Sequence, residues 1–346
     1  MLKIALSPIF AHPLPEGHRF PMEKYSLLPE QLLFEGTVTD SNFFIPQSLD
    51  DELILTTHQD TYLTRLKNLE LTKAEIRAIG FPLNMPLIER EICIAGGSVQ
   101  AARYAKEFGI GMNVAGGTHH AFFNRGEGFC ILNDLAITAN YLLKAELARK
   151  VLIVDLDVHQ GNGTASLFLD NPSVFTFSMH GEKNYPHRKE TSDLDLGLAD
   201  GTDDATYLSL LDLHFKRIVD LEQPDFILYQ SGVDVLATDQ LGRLSLTLAG
   251  VQARDRLVLS TARTLGIPIM CCMGGGYSKR IKDIVEGHAQ IFRLAQDLFF
   301  SALTDFNAGN FLWFLQNEYF IYICDLLTLI ISKWKKFLHV SLFLLL

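Results

Sequence analysis

Three polar side chains stand at alternate positions near the end of an apolar stretch, in Asp155-Leu-Asp157-Val-His159. On an extended strand, residues two apart point to the same face, so these three groups would project together. Such groups are costly to desolvate at the end of an apolar strand unless they bind a partner. Carboxylate and imidazole are ordinary ligands of a divalent metal, which favours a metal site. The alternative is a hydrogen-bonded strand end that caps a neighbouring helix.

Other residues with suitable chemistry also follow apolar stretches. A catalytic zinc site needs a third protein ligand and an open position for water, and Asp239 is a candidate for that ligand. His119 and His120 follow a Gly-Gly pair; beside a metal they could polarise water and protonate a leaving amine, and otherwise they are a polar loop. Tyr277 follows three glycines, where its hydroxyl could face a cleft or its ring could simply pack.

The segments that would position these residues alternate between strands and helices from about residue 90 onward. Apolar patterns predict strands over residues 110–115, 151–158, 174–178, 226–230 and 268–273, and a helix over 134–149. Apolar runs separated by helices indicate parallel strands covered on both faces. In such sheets chemistry collects beyond the carboxyl ends of the strands, which is where the polar residues above lie.

The composition is that of one large α/β domain. The chain has 346 residues, of which 48% are hydrophobic, and a formal net charge of −10, which excludes a disordered protein. The acidic balance argues against direct nucleic-acid binding and suits a lysine-rich partner as well as an ordinary enzyme. Without a CxxC motif, a secretory signal or a cluster of basic residues, we expect reduced thiols and a cytoplasmic location. The five cysteines are Cys93, Cys130, Cys271, Cys272 and Cys324.

The C-terminal segment differs in composition from the rest of the chain. We expect a catalytic domain over residues 1–300 and a hydrophobic tail over residues 301–346. Residues 311–332 are long enough to span a bilayer, but Glu318 and Asp325 are costly in hydrocarbon, so a membrane anchor is not favoured. A helix packed on the domain or on a partner, a membrane-surface segment and a tail without a role remain open.

Taken together, the motifs resemble those of histone deacetylases, specifically the class IV branch and its bacterial relatives. The resemblance covers roughly residues 1–300 and depends on the order and spacing of several segments. These segments include His18-Arg-Phe-Pro-Met-Glu-Lys24, His58-Gln-Asp-Thr-Tyr-Leu63, Gly116-Gly-Thr-His-His-Ala121, Gly128-Phe-Cys-Ile-Leu-Asn-Asp134, Asp155-Leu-Asp-Val-His-Gln-Gly-Asn-Gly-Thr164, Ser231-Gly-Val-Asp234 and Gly274-Gly-Gly-Tyr277. The resemblance implies a three-layer α/β/α fold of the arginase–deacetylase type, with a central, mostly parallel sheet of about eight strands. It also implies zinc-dependent hydrolysis of an acyl-amine amide, above all deacetylation of acetyl-lysine in proteins.

The resemblance further implies a role for each residue of the reaction centre. The implied Zn²⁺ ligands are Asp157, His159 and Asp239. His119 would assist electrostatically while Asp155 orients it, and His120 would act first as general base and then as general acid. Tyr277 would donate its hydroxyl to the acyl oxygen.

Substrate contacts and a second ion are implied in the same way. Gly128 and Phe129 would line one wall of an acyl-lysine tunnel, and Tyr185 would line the other. The remaining match is to a structural site for a monovalent cation, K⁺ or Na⁺, formed by Asp155, Ser178 and the backbone of Met179.

Two departures from the wider family bear on these expectations. Asn162 stands where classes I and II usually have a carboxylate paired with the second histidine, and an amide stabilises the charged ring less well. No rim aspartate is evident over residues 80–86, which leaves selectivity for peptides open. The alternatives are an amidohydrolase of acylated polyamines or other small amides, a binuclear manganese ureohydrolase, and a catalytically silent acyl-lysine binder.

Overall fold

The computed structural model describes residues 1–301, so the predicted tail lies outside the described residues, apart from Ser301. The strands are β1 Ile4–Ala5, β2 Phe43–Phe44, β3 Ile110–Asn113, β4 Val151–Asp155, β5 Val174–Gly181, β6 Leu194–Leu198, β7 Phe226–Ser231 and β8 Ile269–Met273. The α-helices are α1 Lys24–Phe34, α2 Asp51–Ile54, α3 Asp60–Lys67, α4 Lys73–Ile79, α5 Met85–Phe108, α6 Asp134–Lys144, α7 Asn162–Phe168, α8 Asp204–Glu222, α9 Leu248–Leu265 and α10 Ile281–Phe299. Short 3-10 helices cover Pro8–Phe10 and Asp40–Asn42.

The eight strands of residues 1–301 belong to one sheet with the order β2-β1-β3-β8-β7-β4-β5-β6. Every pair of neighbours is parallel. Parallel neighbours require crossover connections, and helices supply most of them. The prediction of an α/β fold with a parallel sheet of about eight strands is therefore confirmed.

Helical layers cover both faces of the sheet. Val151 and Ile153 of β4 belong to an apolar cluster that includes residues of α5 and α6, whereas Leu152 and Val154 belong to a second cluster that includes residues of α8 and α9. This alternation follows from the geometry of a strand, in which successive side chains point to opposite faces. The sheet is thus buried on both sides, which explains why its strands read as continuous apolar runs.

Strand β4 is shorter than the sequence pattern predicts, because it ends at Asp155 and not at Val158. A side-chain oxygen of Asp155 accepts the backbone N–H of Asp157 at 3.2 Å, and a side-chain oxygen of Asp157 accepts the backbone N–H of His159 at 3.0 Å. These side chains take the backbone donors that a continued ladder would use. The acidic motif therefore lies in a bend beyond the strand.

The cysteines among the described residues lie in the interior of the domain. Cys93, Cys130, Cys271 and Cys272 are buried and free, in agreement with the expectation of reduced thiols. Burial raises the pKa of each of these thiols, which disfavours the reactive thiolate.

Among residues 1–301, no helix combines the length and the apolar character that a bilayer crossing requires.

Candidate metal centre and active site

The polar residues singled out in the sequence gather at the carboxyl edge of four neighbouring strands, β3, β8, β7 and β4. Because the strands are parallel, all four end at this edge, and each is followed by a loop. The residues concerned are His119 and His120 after β3, Asp157 and His159 after β4, Asp239 after β7, and Tyr277 after β8, and the structure adds Asp234 after β7. The sheet therefore brings together groups that are more than 150 residues apart in the chain.

Asp157, His159 and Asp234 form a buried group whose potential ligand atoms all lie within 4.8 Å of one another. The Nδ1 atom of His159 lies 3.0 Å from Oδ1 of Asp157 and 3.1 Å from Oδ2 of Asp234. Two carboxylates and one imidazole are a donor set that suits a divalent transition metal such as zinc. The three residues could hold a metal ion.

Electrostatic fields within this group favour a positive charge. Burial opposes protonation of His159, but the Asp157 and Asp234 carboxylates outweigh it and raise its pKa to about 10. Burial, together with repulsion from Asp157, raises the pKa of Asp234 to about 7. A bound cation would offset both pKa shifts, since it would pair with the carboxylates and take the place of the proton.

Asp239, the predicted third ligand, lies outside that group of three. One of its side-chain oxygens accepts the backbone N–H groups of Leu241 and Gly242, both at 2.8 Å, and the other accepts the N–H of Tyr277 at 2.6 Å. Burial raises the pKa of Asp239, while these three donors act in the opposite direction. Its role as a ligand stays a prediction. Asp234 was not considered as a ligand from the sequence, although its position three residues after the end of β7 was a usable signal.

His119 is held by a carboxylate. Its Nδ1 atom donates to Oδ2 of Asp155 at 2.7 Å, and both side chains are almost fully buried. Burial disfavours a charge on the ring, but Asp155 and then Asp157 outweigh this effect and raise the pKa of His119. Asp155 thus fixes the ring and favours its protonated form, while the part that the pair plays in a reaction stays a prediction.

His120 has a neutral partner instead. Its Nδ1 atom donates to Oδ1 of Asn162 at 2.7 Å, and its ring centroid lies 4.1 Å from that of His119. Burial, and then repulsion from His119 and His159, lowers the pKa of His120 well below its usual value. His119 and His120 are therefore driven in opposite directions, which is the pattern expected when one ring stays charged and its neighbour transfers protons.

Tyr277 stands at the wall of the same site. Its ring centroid lies 6.5 Å from that of His159 and 6.1 Å from that of Phe129. Burial, and then the negative charges of Asp157 and Asp234, raises the pKa of Tyr277 well above its usual value. The hydroxyl therefore stays protonated and can act as a hydrogen-bond donor.

A cleft of about 260 Å³ leads to these residues. Gly128, Phe129 and Tyr185 all line it, with the ring of Tyr185 5.0 Å from that of His120, while their contact with an acyl-lysine stays a prediction. A side chain at position 128 would not fit, because a Cβ atom there would lie 2.7 Å from the His120 ring. Phe129 has a φ of 66°, a conformation that is unfavourable for a bulky residue, and its N–H is held by the carbonyl of Ile79 at 2.7 Å.

The residues predicted to hold a monovalent cation lie on the neighbouring strands β4 and β5. Asp155 of β4 is paired in register with Ser178 of β5, and Met179 is the next residue along β5. All three are buried. The structure thus brings these residues together, while a cation bound to them stays a prediction.

Two charged residues beside the site were given no role from the sequence. Lys24 is fully buried, donates to the carbonyl oxygen of Gly274 at 3.0 Å, and has its pKa lowered by burial to about 8. Glu127 accepts the side-chain N–H of Asn162 at 2.7 Å. Lys24 closes a conspicuous motif, so its type and position were visible, whereas nothing in the sequence links Glu127 to Asn162, which is 35 residues away.

Comparisons with known proteins agree on one family. Residues 18–292 match the sequence model of the histone deacetylase domain. An uncharacterized protein of Picosynechococcus sp. is 44% identical over 296 residues, which cover 86% of this chain and 99% of that protein. Histone deacetylase 2 of Arabidopsis thaliana is 29% identical over 278 residues, covering 78% of this chain and 72% of that enzyme. The crystal structure of the HDA15 HD domain superposes with a TM-score of 0.71 at 19% identity, covering 84% of this chain and 90% of that domain.

Proposed function

The chain belongs to the histone deacetylase family, and from this premise we propose that it is a zinc-dependent amidohydrolase that removes the acetyl group from acetyl-lysine in proteins. The observation that carries the proposal is the pair of adjacent buried histidines beside the metal-binding group. His119 is bonded to a carboxylate and His120 to an amide, so their pKa values move in opposite directions. Such a division suits a reaction that needs both a fixed positive charge and a proton carrier.

The metal would be held by Asp157 and His159, with Asp239 as the third ligand. When bound, zinc supplies a Lewis acid that polarises the amide carbonyl and lowers the pKa of water. We favour Asp239 over Asp234 because three backbone N–H groups stabilise its ionised form. Asp234 already accepts the backbone N–H of Val158 at 2.9 Å and so holds the loop that carries the ligands.

His120 would move the protons of the reaction. Asn162 engages its Nδ1 atom, so Nε2 is the nitrogen that can take a proton from water and later give it to the departing lysine amine. Its lowered pKa keeps the ring neutral and therefore ready to act as a base near neutral pH. The His119–Asp155 pair would keep a positive charge beside the developing negative charge.

Tyr277 and the cleft would position the substrate. The tyrosine hydroxyl would donate to the oxygen that becomes negative during attack, and its raised pKa keeps the proton in place. Phe129 and Tyr185 would flank the apolar stem of the acylated lysine. A structural K⁺ or Na⁺ at Asp155 and Ser178 and a cytoplasmic location both remain part of the proposal.

The proposal is tested by assaying the purified protein against three substrate classes: acetyl-lysine peptides, longer acyl-lysine peptides and acetylpolyamines. We expect release of acetate and of the peptide with an unmodified lysine, and loss of this activity on chelation and in Asp157→Asn. Hydrolysis of acetylpolyamines alone would show that the substrates are small acylated amines and not acetyl-lysine in proteins. Absence of hydrolysis in zinc-loaded protein, with acetyl-lysine peptides still bound, would indicate a silent binder.

A matched pair of variants assigns the third ligand. In Asp239→Asn the two backbone-bonded oxygens are reduced to one, and we expect loss of both bound zinc and activity. Asp234→Asn makes the same single-atom change at a fully buried carboxylate of the same loop. Zinc retention by Asp239→Asn together with zinc loss by Asp234→Asn would assign the ligand to Asp234.

A further inference from the structure

Glu127 directly precedes two residues that line the cleft and bonds to two residues of the proposed active site. Its Oε1 atom accepts the side-chain N–H of Asn162 at 2.7 Å and the hydroxyl of Tyr185 at 2.9 Å. Its Oε2 atom faces the guanidinium of Arg125 at 3.4 Å. Because Asn162 in turn accepts from His120 at 2.7 Å, an unbroken chain of hydrogen bonds joins Glu127 to the ring.

The direction of this chain follows from the chemistry of its ends. A carboxylate offers acceptors only, so the atom of Asn162 that faces Glu127 must be the amide nitrogen. The carbonyl oxygen of Asn162 then faces His120, and that oxygen can only accept. Nδ1 of His120 must therefore carry a hydrogen, and Nε2 of the neutral ring keeps its lone pair.

An amide alone would not impose this direction. Rotated by half a turn, Asn162 would present its nitrogen to His120 and favour the tautomer with the hydrogen on Nε2. That tautomer has no lone pair at the nitrogen which the reaction requires. The carboxylate two hydrogen bonds away from the ring removes this ambiguity.

The surroundings hold Glu127 in place. Its carbonyl oxygen accepts the N–H of Cys130 at 2.9 Å, and the next residue, Gly128, donates to the carbonyl of Ala78 at 2.9 Å. The side chain of Glu127 is only 18% exposed, and Asn162 is almost fully buried. The carboxylate of Glu127 is therefore held in position in the absence of substrate.

We propose that Glu127 is a positioning residue, which fixes the direction of the Asn162 amide and thereby selects the tautomer of His120 that can accept a proton at Nε2. The inference rests on the proposed function for what this tautomer does in the reaction. The direction of the hydrogen bonds is independent of that function and can be measured separately.

The first test is Glu127→Gln, which preserves shape but lets position 127 donate as well as accept. General acid–base catalysis is worth about 10²–10⁴-fold, so we expect kcat to fall by at least about tenfold. KM should change by less than about threefold, because no substrate contact is removed. The control is Glu52→Gln, at a side chain that is 85% exposed and paired with Lys144 on the surface. It should leave both constants unchanged.

The second test determines the tautomer of His120 directly, without measuring catalytic activity. In zinc-loaded protein with ¹⁵N-labelled histidine, NMR shifts distinguish a ring protonated at Nδ1 from one protonated at Nε2, and His120→Gln identifies the signals of His120. We expect the Nδ1 form in the wild type and a mixture in Glu127→Gln. If Glu127→Gln shows the same tautomer signals as the wild type, the inference is wrong, even when the wild-type enzyme is fully active.

The third test is a rescue. When Asn162→Asp is added to Glu127→Gln, the new carboxylate accepts both from His120 and from the amide at position 127, so the direction is restored. We expect the double variant to be more active than Glu127→Gln or Asn162→Asp alone. A loss in Glu127→Gln that the double variant does not recover would reduce Glu127 to a structural residue. A wild type without amidase activity would instead contradict the proposed function, while the NMR result would still stand.

Discussion

Replacing Tyr277 by phenylalanine should separate catalysis from packing at this site. The change removes one oxygen atom and leaves the ring, which packs edge-on against Phe20 and at a tilt against Phe129, with ring centroids 6.1 Å apart in each pair. The backbone N–H of Tyr277, which donates to Asp239 at 2.6 Å, is also untouched. We therefore expect Tyr277→Phe to fold normally and to bind a full complement of zinc.

The expected loss lies in the chemical step. One donor to a developing oxyanion is typically worth about 2.7–4 kcal/mol, which corresponds to about 10²–10³ in kcat. KM should change little, because the contact strengthens only as negative charge develops. Because the pKa of Tyr277 is raised well above its usual value, the wild-type pH profile should show no alkaline decline from this group below about pH 10.

The assay is steady-state hydrolysis of an acetyl-lysine peptide, accompanied by thermal unfolding and metal analysis of the same samples. Tyr141→Phe, at a half-buried tyrosine of α6 remote from the cleft, is the matched control. A decrease in kcat of less than about threefold for Tyr277→Phe at full zinc content would refute the assignment, since oxyanion donors are worth far more. A decrease that follows zinc loss would instead make Tyr277 a support of the metal centre.

Three further predictions concern the proton carrier, the scaffold and the tail. With Glu127→Gln in place, Asn162→Asp should move the acidic limb of the kcat/KM pH profile to higher pH, because a nearby negative charge raises the pKa of His120 by about 1–3 units; superimposable profiles would contradict this. Arg254→Met removes a fully buried guanidinium from its buried carboxylate partner and should lower the free energy of unfolding by about 3–5 kcal/mol, measured by urea denaturation; a change below about 1 kcal/mol would contradict it. A chain of residues 1–301 should keep the wild-type kcat, since it contains every proposed site residue, and an inactive, unfolded product would show that the tail completes the domain.

The sequence was sufficient to predict the parallel sheet and the edge where the site lies. Strands buried on both faces are apolar throughout, so the polar residues that end them are conspicuous. Asp157 and His159 were found in this way, and the structure brings them together. The assumption behind that prediction was only partly right, because these residues lie in a bend after Asp155 and not on the strand itself.

Other features depend on contacts that no local pattern encodes. Asp234 and Asp239 occupy the same loop after β7, and the choice between them depends on how that loop folds against neighbouring backbone. Glu127 gains its place only through a hydrogen bond to Asn162 across 35 residues. Periodicity carries information about which face a residue occupies, but not about which side chains meet across a cleft.

Metal titration tests the central claim most directly. Protein freed of metal by chelation is titrated with Zn²⁺ while hydrolysis of an acetyl-lysine peptide and bound zinc are measured together. Since Asp157 and His159 contribute to the one cluster of potential ligands found among residues 1–301, activity should rise in proportion to zinc and reach its plateau at about one ion per chain. Full hydrolytic activity in the metal-free protein, or none after one equivalent of zinc has bound, would contradict the account.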